Sequence, residues 1–597
     1  MRFWAAIGFA LAIYSGTSLA YAQAPPGSDT LEVAPDSVRE AFIEPVSLRA
    51  PAFPARLVPL RGASHEVFSC DRECVRSSSA LSLVGLLQEF VPGFSPLRAG
   101  FFVGPHHGFD GALGPGFLAL FIDGREVPSL ERAQTDLRRL SLNYVERVHV
   151  YRGADGFIID VDLVRHDGTQ AYSRIGGGTG TPAADILDGV FANGLGKTFN
   201  FEGGFELLDV EADNVENDRF GLLGRLSWMP RSNDFGVQFE FVNASVDRTA
   251  ADTADIRRRE VVLRTRGNIG DRAQVEAYAS TSTQRLLVPG IPDSLAPRPR
   301  GADAVGFSFS ALPGKGGLST SARFMGRAAY PSLSADLTGW YPLGPVTFEG
   351  GAKIARWNDF STESLRAGVA FQDSTVVPIT LRAFTTSGSR GIGFPELSSS
   401  DSIGFESFGA SANLQLGEFD LSGRLSGQRL DHQVGFGGSF DRTVIVDSSQ
   451  VDVTSIEARV AGPVLPLGVI FRGAEPVRVR AFWRQNKSRG AATMFMPVDQ
   501  MRVELSLYES FFDDNLELWL VGYLQRRGER LLPMPGQVNP LIVGSDSWLG
   551  GHFMFRISNF RFFWRFANPK GMTVYDIPGA NFPAQFNIFG IRWEFYN

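Results

Sequence analysis
The chain has 597 residues, 44% of them hydrophobic, with 66 glycines, 49 phenylalanines and a formal net charge of −7. That charge gives no reason to expect a nucleic-acid partner, and two cysteines exclude a scaffold built on disulfides. The length leaves room for several domains or for one large barrel.

Residues 1–24 read as a cleaved export signal. Arg2 supplies the positive charge and Ala5 to Ala20 is mostly apolar. Ala20-Tyr21-Ala22 and Ala22-Gln23-Ala24 then put small residues where a signal peptidase reads. No later run of about 18 residues is apolar and uncharged, so no membrane-spanning helix is expected in the mature chain. Residues 25–59 read as a flexible segment. It holds one extended stretch, Asp29-Thr30-Leu31-Glu32-Val33-Ala34-Pro35, of the kind that adds as an edge strand to a partner.

Residues 60–168 carry a mixture of helical and strand signals. Cys70 and Cys74 lie in FSCDREC, where an oxidising compartment lets them pair and pin a small loop. Their spacing lacks the second ligand pair of a metal site. Ser78 to Phe90 reads as a helix ending at Val91-Pro92-Gly93. His106-His107 sits in a glycine-rich stretch expected to be a solvated loop. Phe117 to Ile122 reads as a strand turning at Asp123-Gly124, with a helix after it. Glu146-Arg147-Val148-His149-Val150-Tyr151-Arg152-Gly153 and Phe157 to Val164 read as two further strands.

From residue 169 to 597 one pattern recurs: segments that alternate apolar with polar or small residues, separated by turn-rich connections. Phe220, Leu222, Leu226 and Trp228 share one face, and Gly221, Leu223, Arg225 and Ser227 the other. Phe560, Phe562, Trp564 and Phe566 alternate with Arg561, Phe563 and Arg565. A period of two puts each set on opposite sheet faces. In lipid every backbone polar group must be paired within the protein, so strands that cross a membrane close into a barrel, apolar outside and polar inside. The pattern predicts a mainly β fold, a transmembrane antiparallel barrel of about 22 strands or fewer, ahead of which stands a small α/β domain. The last segment, with Phe589, Ile591, Trp593 and Phe595 on one face, is an aromatic-rich closing strand. The inward face holds many arginines, among them Arg225, Arg264, Arg266, Arg366, Arg382, Arg478, Arg480, Arg484, Arg502, Arg556, Arg561, Arg565 and Arg592. They are expected to pair with carboxylates such as Glu504 and Glu594 or with acids of the preceding domain; unpaired, they would attract anionic solutes.

The order of the pieces in residues 60–168 resembles the plug domain of TonB-dependent outer-membrane receptors. In that family a helix leads to a "VPG" turn, then a strand with "IDG", then "ERIEVLRGP". Here the counterparts are Val91-Pro92-Gly93, Ile122-Asp123-Gly124 and Glu146-Arg147-Val148 running to Arg152-Gly153. Asp29, Thr30, Leu31, Glu32 and Val33 are similar to the family's TonB box. The chain departs from the family in three ways. It lacks the usual "IRG" before "IDG", it has Ala154-Asp155-Gly156 after "YRG", and its plug is short. The resemblance implies a plug at 60–168 inside a barrel at 169–597, in the outer membrane of a Gram-negative-type envelope. It implies TonB and its inner-membrane energising complex as partners, with membrane lipid around a monomer. The implied function is import of a scarce small-molecule ligand such as an iron chelate, a cofactor or an oligosaccharide. The alternative is a passive or structural barrel with a reduced plug.

No catalytic constellation, resident cofactor or metal site is expected. The chain has no G-x-S-x-G, H-E-x-x-H or Walker loop, and its seven histidines are scattered apart from His106-His107.

Overall fold
The computed structural model describes residues 52–596. The exceptions are 99–105, 111–116, 131–134, 154–155 and 167–169 ahead of the barrel, and connecting segments within it, the longest being 249–254, 288–299, 437–443, 466–475 and 533–539. Asp29 to Val33 lie outside the described residues.

The period-two repeat does what elementary geometry requires of it. Among the described residues, 22 antiparallel strands form a closed barrel from Tyr172–Thr181 round to Phe586–Tyr596, and the last strand pairs with the first. With an even number of strands the wall begins and ends on the same side, so Tyr172 and Tyr596 share one rim, here called the near rim.

Phe220, Leu226 and Trp228 are exposed on the outside, as are Phe307, Leu505 and Phe589, while the inward Arg225, Ser227 and Leu223 are buried. Aromatics cluster near the near rim: Phe199 stacks on Trp228 and Phe560 on Trp593. Rings with an apolar body and, in tryptophan, one polar edge suit the membrane interface. At the far rim the outward positions become charged. Asp209 faces both Asp185 and Asp218 across the strands, and Arg257 faces Arg285. Among the described residues, three far-rim connections carry short hairpins, such as Gln433–Phe436 with Val444–Asp447.

Inside the barrel lies a five-stranded sheet. We number the strands ahead of the barrel β1 (Glu66–Cys70), β2 (Phe94–Arg98), β3 (His106–Asp110), β4 (Leu118–Ile122), β5 (Arg125–Glu126), β6 (Val145–Gly153) and β7 (Gly156–Leu163). The sheet order is β1-β6-β7-β4-β5, with β4 parallel to β7, and β2 and β3 form a separate hairpin. β7 is buried along nearly its whole length because the sheet is covered on both faces.

The helix Leu83–Phe90 starts later than the sequence pattern suggests. Ser82 caps it, its side chain accepting from the Gly85 N–H. Residues 78–80 are held out of the helix by Arg592, which donates to the carbonyls of Ser78 and Ala80 at 2.7 and 3.1 Å. The helix expected after Gly124 is replaced, among the described residues, by two short 3₁₀ turns, Leu137–Arg139 and Leu142–Tyr144.

Residues 52–59 are not the free tail their composition suggested. Phe53 and Val58 are buried, Arg56 is paired with Asp160, and the Leu57 N–H meets Gln274. From there the chain follows the inner wall near the near rim. Arg61 reaches Thr338, Gly62 and Ser64 donate to Glu349, and Arg382 holds the Ala63 carbonyl. At the other end, Leu97, Phe109 and Phe117 pack against Ile392, Phe405, Leu430, Phe495 and Leu532 of the far-rim strands and connections.

Candidate functional site
What this fold can do is decided at the surface between the inner sheet and the wall. That surface is built from buried ion pairs, and the motif residues stand at its centres.

The first centre is Arg152, near the end of β6, which is fully buried. Its guanidinium clamps Asp110 of β3 at 2.7 and 3.0 Å and Glu457 of the wall at 2.7 and 3.1 Å. Arg484 of the wall donates to the same two carboxylates, at 2.7 and 2.8 Å, and to the Gly93 carbonyl at 3.0 Å. Glu66 adds a third carboxylate, held by Arg459 at 2.5 Å and Arg424 at 3.4 Å. The planar fork of arginine meets each of two carboxylates through a pair of N–H groups, a geometry the point charge of a lysine does not offer. Burial pushes Asp110 and Glu66 up, but the surrounding guanidiniums outweigh it and hold both below the usual carboxylate range.

The second centre is Asp123, at the turn between β4 and β5. Asp123 and Gly124 both have positive φ, 50° and 88°, which an aspartate tolerates and a glycine adopts freely. The turn aims the carboxylate at Arg225 of the wall, 2.5 Å away, with Arg165 at 3.0 Å. The Asp123 carbonyl accepts from Arg266 at 3.0 Å. Burial raises the carboxyl and the arginines lower it further, leaving it well below its ordinary value. Two more sets repeat the scheme: Arg125 and Arg139 on Glu260, at 2.7 and 2.5 Å, and Arg138 and Arg219 on Glu206, at 3.1 and 2.7 Å.

The other motif residues support these centres. Val91 ends its helix by donating to the Leu87 carbonyl, and Gly93 sits at φ 77° where a Cβ would meet Arg484 at 2.4 Å. Gly153 is pressed on His65, where a Cβ would stand 2.1 Å from the ring. Glu146 accepts from the Arg165 N–H, Ile122 pairs with Arg125 across the turn, Val148 is buried in the sheet, and Arg147 is exposed. Cys70 and Cys74 are joined by a disulfide that ties β1 to the short helix after it.

One sequence reading changes here. His106 and His107 are not in a solvated loop: they form β3 and are buried, the His106 N–H donating to Asp136 at 2.9 Å. The glycines around them suggested a loop, but the strand pairs with β2 under the far-rim connections. Among the described residues no three His, Cys, Asp or Glu side chains form a metal-ligand group. The wall arginines pair as expected, with inward carboxylates such as Glu504 and Glu594 and with acids ahead of the barrel, but sequence reasoning did not single out which of those acids they meet. Glu66, Asp110 and Asp136 belong to that group; alternation alone could have marked Glu457, Glu260 and Glu206 as inward-facing.

Asp136 gives the interface a pH dependence. Burial pushes its carboxyl up, yet Arg258 and its other partners bring it down to about 2. A carboxyl whose folded value is depressed stabilises the docked state above its unfolded value and loses that contribution as pH falls. Protection of the backbone around residues 135–139 against hydrogen exchange is therefore expected to hold above pH about 4 and to fall between about 4 and 2.

No protein-family profile and no curated sequence matches the chain. Solved structures do. The siderophore receptor PirA from Acinetobacter baumannii superposes with a TM-score of 0.67 at 10% identity, covering 89% of this chain and 98% of that one. A mutant of the ferric enterobactin receptor PfeA from Pseudomonas aeruginosa gives 0.68 at 11% identity, covering 89% and 98%. The iron transporter FrpB from Neisseria meningitidis gives 0.68 at 10% identity, covering 90% and 100%. The likeness is one of fold, over nearly the whole of each neighbour. The chain folds as a closed 22-strand antiparallel β-barrel with an α/β domain inside it, the fold expected from its resemblance to TonB-dependent receptors.

Proposed function
We propose that the protein is an outer-membrane receptor that binds an iron chelate and imports it with energy transmitted by TonB. The observation that carries this reading is the filled lumen: a folded plug, fixed by buried ion pairs on several sides, does not suit a passive pore. The names of the structural neighbours, a siderophore receptor and an iron transporter, support the solute class. In this reading residues 1–24 are the export signal and 25–59 hold the stretch Asp29 to Pro35 that TonB engages from the periplasm. Residues 60–168 are the plug, and the far rim with its hairpins meets the solute. The strap at residues 52–66, which leads into the plug, is the first described segment that a pull from the periplasm would load.

The test is deletion of residues 29–35 in cells that depend on this protein for iron. Insertion and chelate binding are expected to stay at wild-type level while uptake is lost. Uptake that continues unchanged contradicts TonB coupling.

A further inference from the structure
The lipid-facing wall ends unevenly at the far rim. Along the strand Asp255–Ile269 the outward positions pass from Leu263 and Val261 to Arg259 and Arg257, both exposed. Arg285 stands directly opposite Arg257 on the next strand, and Arg259 faces Thr283, which faces Gly301. Gly301 leaves room for a fourth guanidinium: a Cβ built there would lie 2.9 Å from the Arg327 guanidinium carbon. Four arginines, from two neighbouring strands and one connection, thus converge on one outward patch.

Acids share this face. Asp247 lies 3.1 Å from Arg257, Asp303 lies 3.6 Å from Arg327, and Asp255 ends the same strand. These contacts do not use up the patch. The Arg257 and Arg327 side chains remain 54% and 45% exposed while paired. Each guanidinium has five N–H donors, of which one carboxylate takes two at most.

Toward the belt the wall below the patch is grooved. Ala279 and Thr281 are small and lie between Leu263 on one side and Val305 and Phe324 on the other, leaving an open, mostly apolar trough. A trough that takes an acyl chain, ending in guanidiniums at the headgroup level, has the form of a lipid site. Several forks converging on one point favour a phosphate, whose oxygens accept from more than one arginine.

We infer that this face holds a phosphorylated lipid of the leaflet at the far rim, its phosphate against Arg257, Arg259, Arg285 and Arg327 and one acyl chain in the trough. The site is independent of what the barrel imports.

The test uses the full-length protein purified in detergent. Adducts are counted by native mass spectrometry during titration with phosphatidic acid and with phosphatidylcholine of the same chains. Phosphatidic acid is expected to bind roughly tenfold more tightly, since each arginine near a membrane surface favours an anionic headgroup. R257Q/R259Q/R285Q/R327Q is expected to remove that preference. R429Q, an outward arginine elsewhere on the far rim that is paired with Asp452, should keep it. Should the fourfold variant fail to fold, R259Q/R285Q replaces it and is expected to lose about half of the preference on a logarithmic scale. Equal binding of the two lipids by the wild type overturns the inference, as does an unchanged preference in the variant that folds. Displacement of the lipid by millimolar inorganic phosphate also overturns it, because the site would then take free phosphate only.

Discussion

Arg152→Ala is expected to weaken the docking of the plug in the barrel by about 3–5 kcal/mol, the usual cost of removing one partner from a buried charge cluster. The loss is large because the remaining charges cannot leave. Asp110 and Glu457 lie within hydrogen-bond reach of Arg152, all three side chains buried, and Glu66 is 3.5 Å away. With Arg152 gone, Arg484, Arg459 and Arg424 still neutralise part of the cluster, so the plug should loosen rather than be expelled. The readouts are protease cleavage within residues 60–168 and ion conductance in a planar bilayer, both of which should rise. Arg147→Ala, five residues earlier on the same strand but exposed, should change neither by more than about 0.5 kcal/mol in apparent stability. An Arg152 variant as protected as the wild type would mean that the cluster does not hold the plug.

The second large effect belongs to the outer face. Phe307→Arg puts a charge where the side chain is 52% exposed on the apolar wall, and is expected to cost about 2–4 kcal/mol, as lipid-facing arginines do near the bilayer midplane. Phe307→Leu keeps the face apolar and should cost little. Urea titration of the protein refolded into lipid vesicles measures both. In detergent, where the belt is covered loosely, the difference should shrink. An arginine tolerated at this position in vesicles would mean that the face is not in contact with hydrocarbon.

The two faces were unequally legible in the sequence. The belt could be read because strand geometry imposes a period of two and lipid imposes one sign on it. Phe220 to Trp228 and Phe589 to Phe595 needed no knowledge of their neighbours. The strand count was only approximate, because it depends on where turns fall and on which strand closes the wall. In the plug, the turn glycines were visible as a motif, but their reason was not. Gly93 and Gly153 are crowded by Arg484 and His65, which sequence order does not bring near. The ion pairs were hidden for the same cause: Arg152 and Glu457 are 305 positions apart. An arginine at an inward position says that a carboxylate is needed and not which one. His106 and His107 show the opposite error, since local glycines argued for a loop and tertiary packing made a buried strand.

In the proposed function the barrel is closed at rest because its plug is docked. Steady-state conductance in a planar bilayer tests this most directly, comparing the full chain with one lacking residues 52–163. The full chain should be silent and the truncated barrel should conduct as a wide pore. Equal, steady conductance by both proteins would contradict the account.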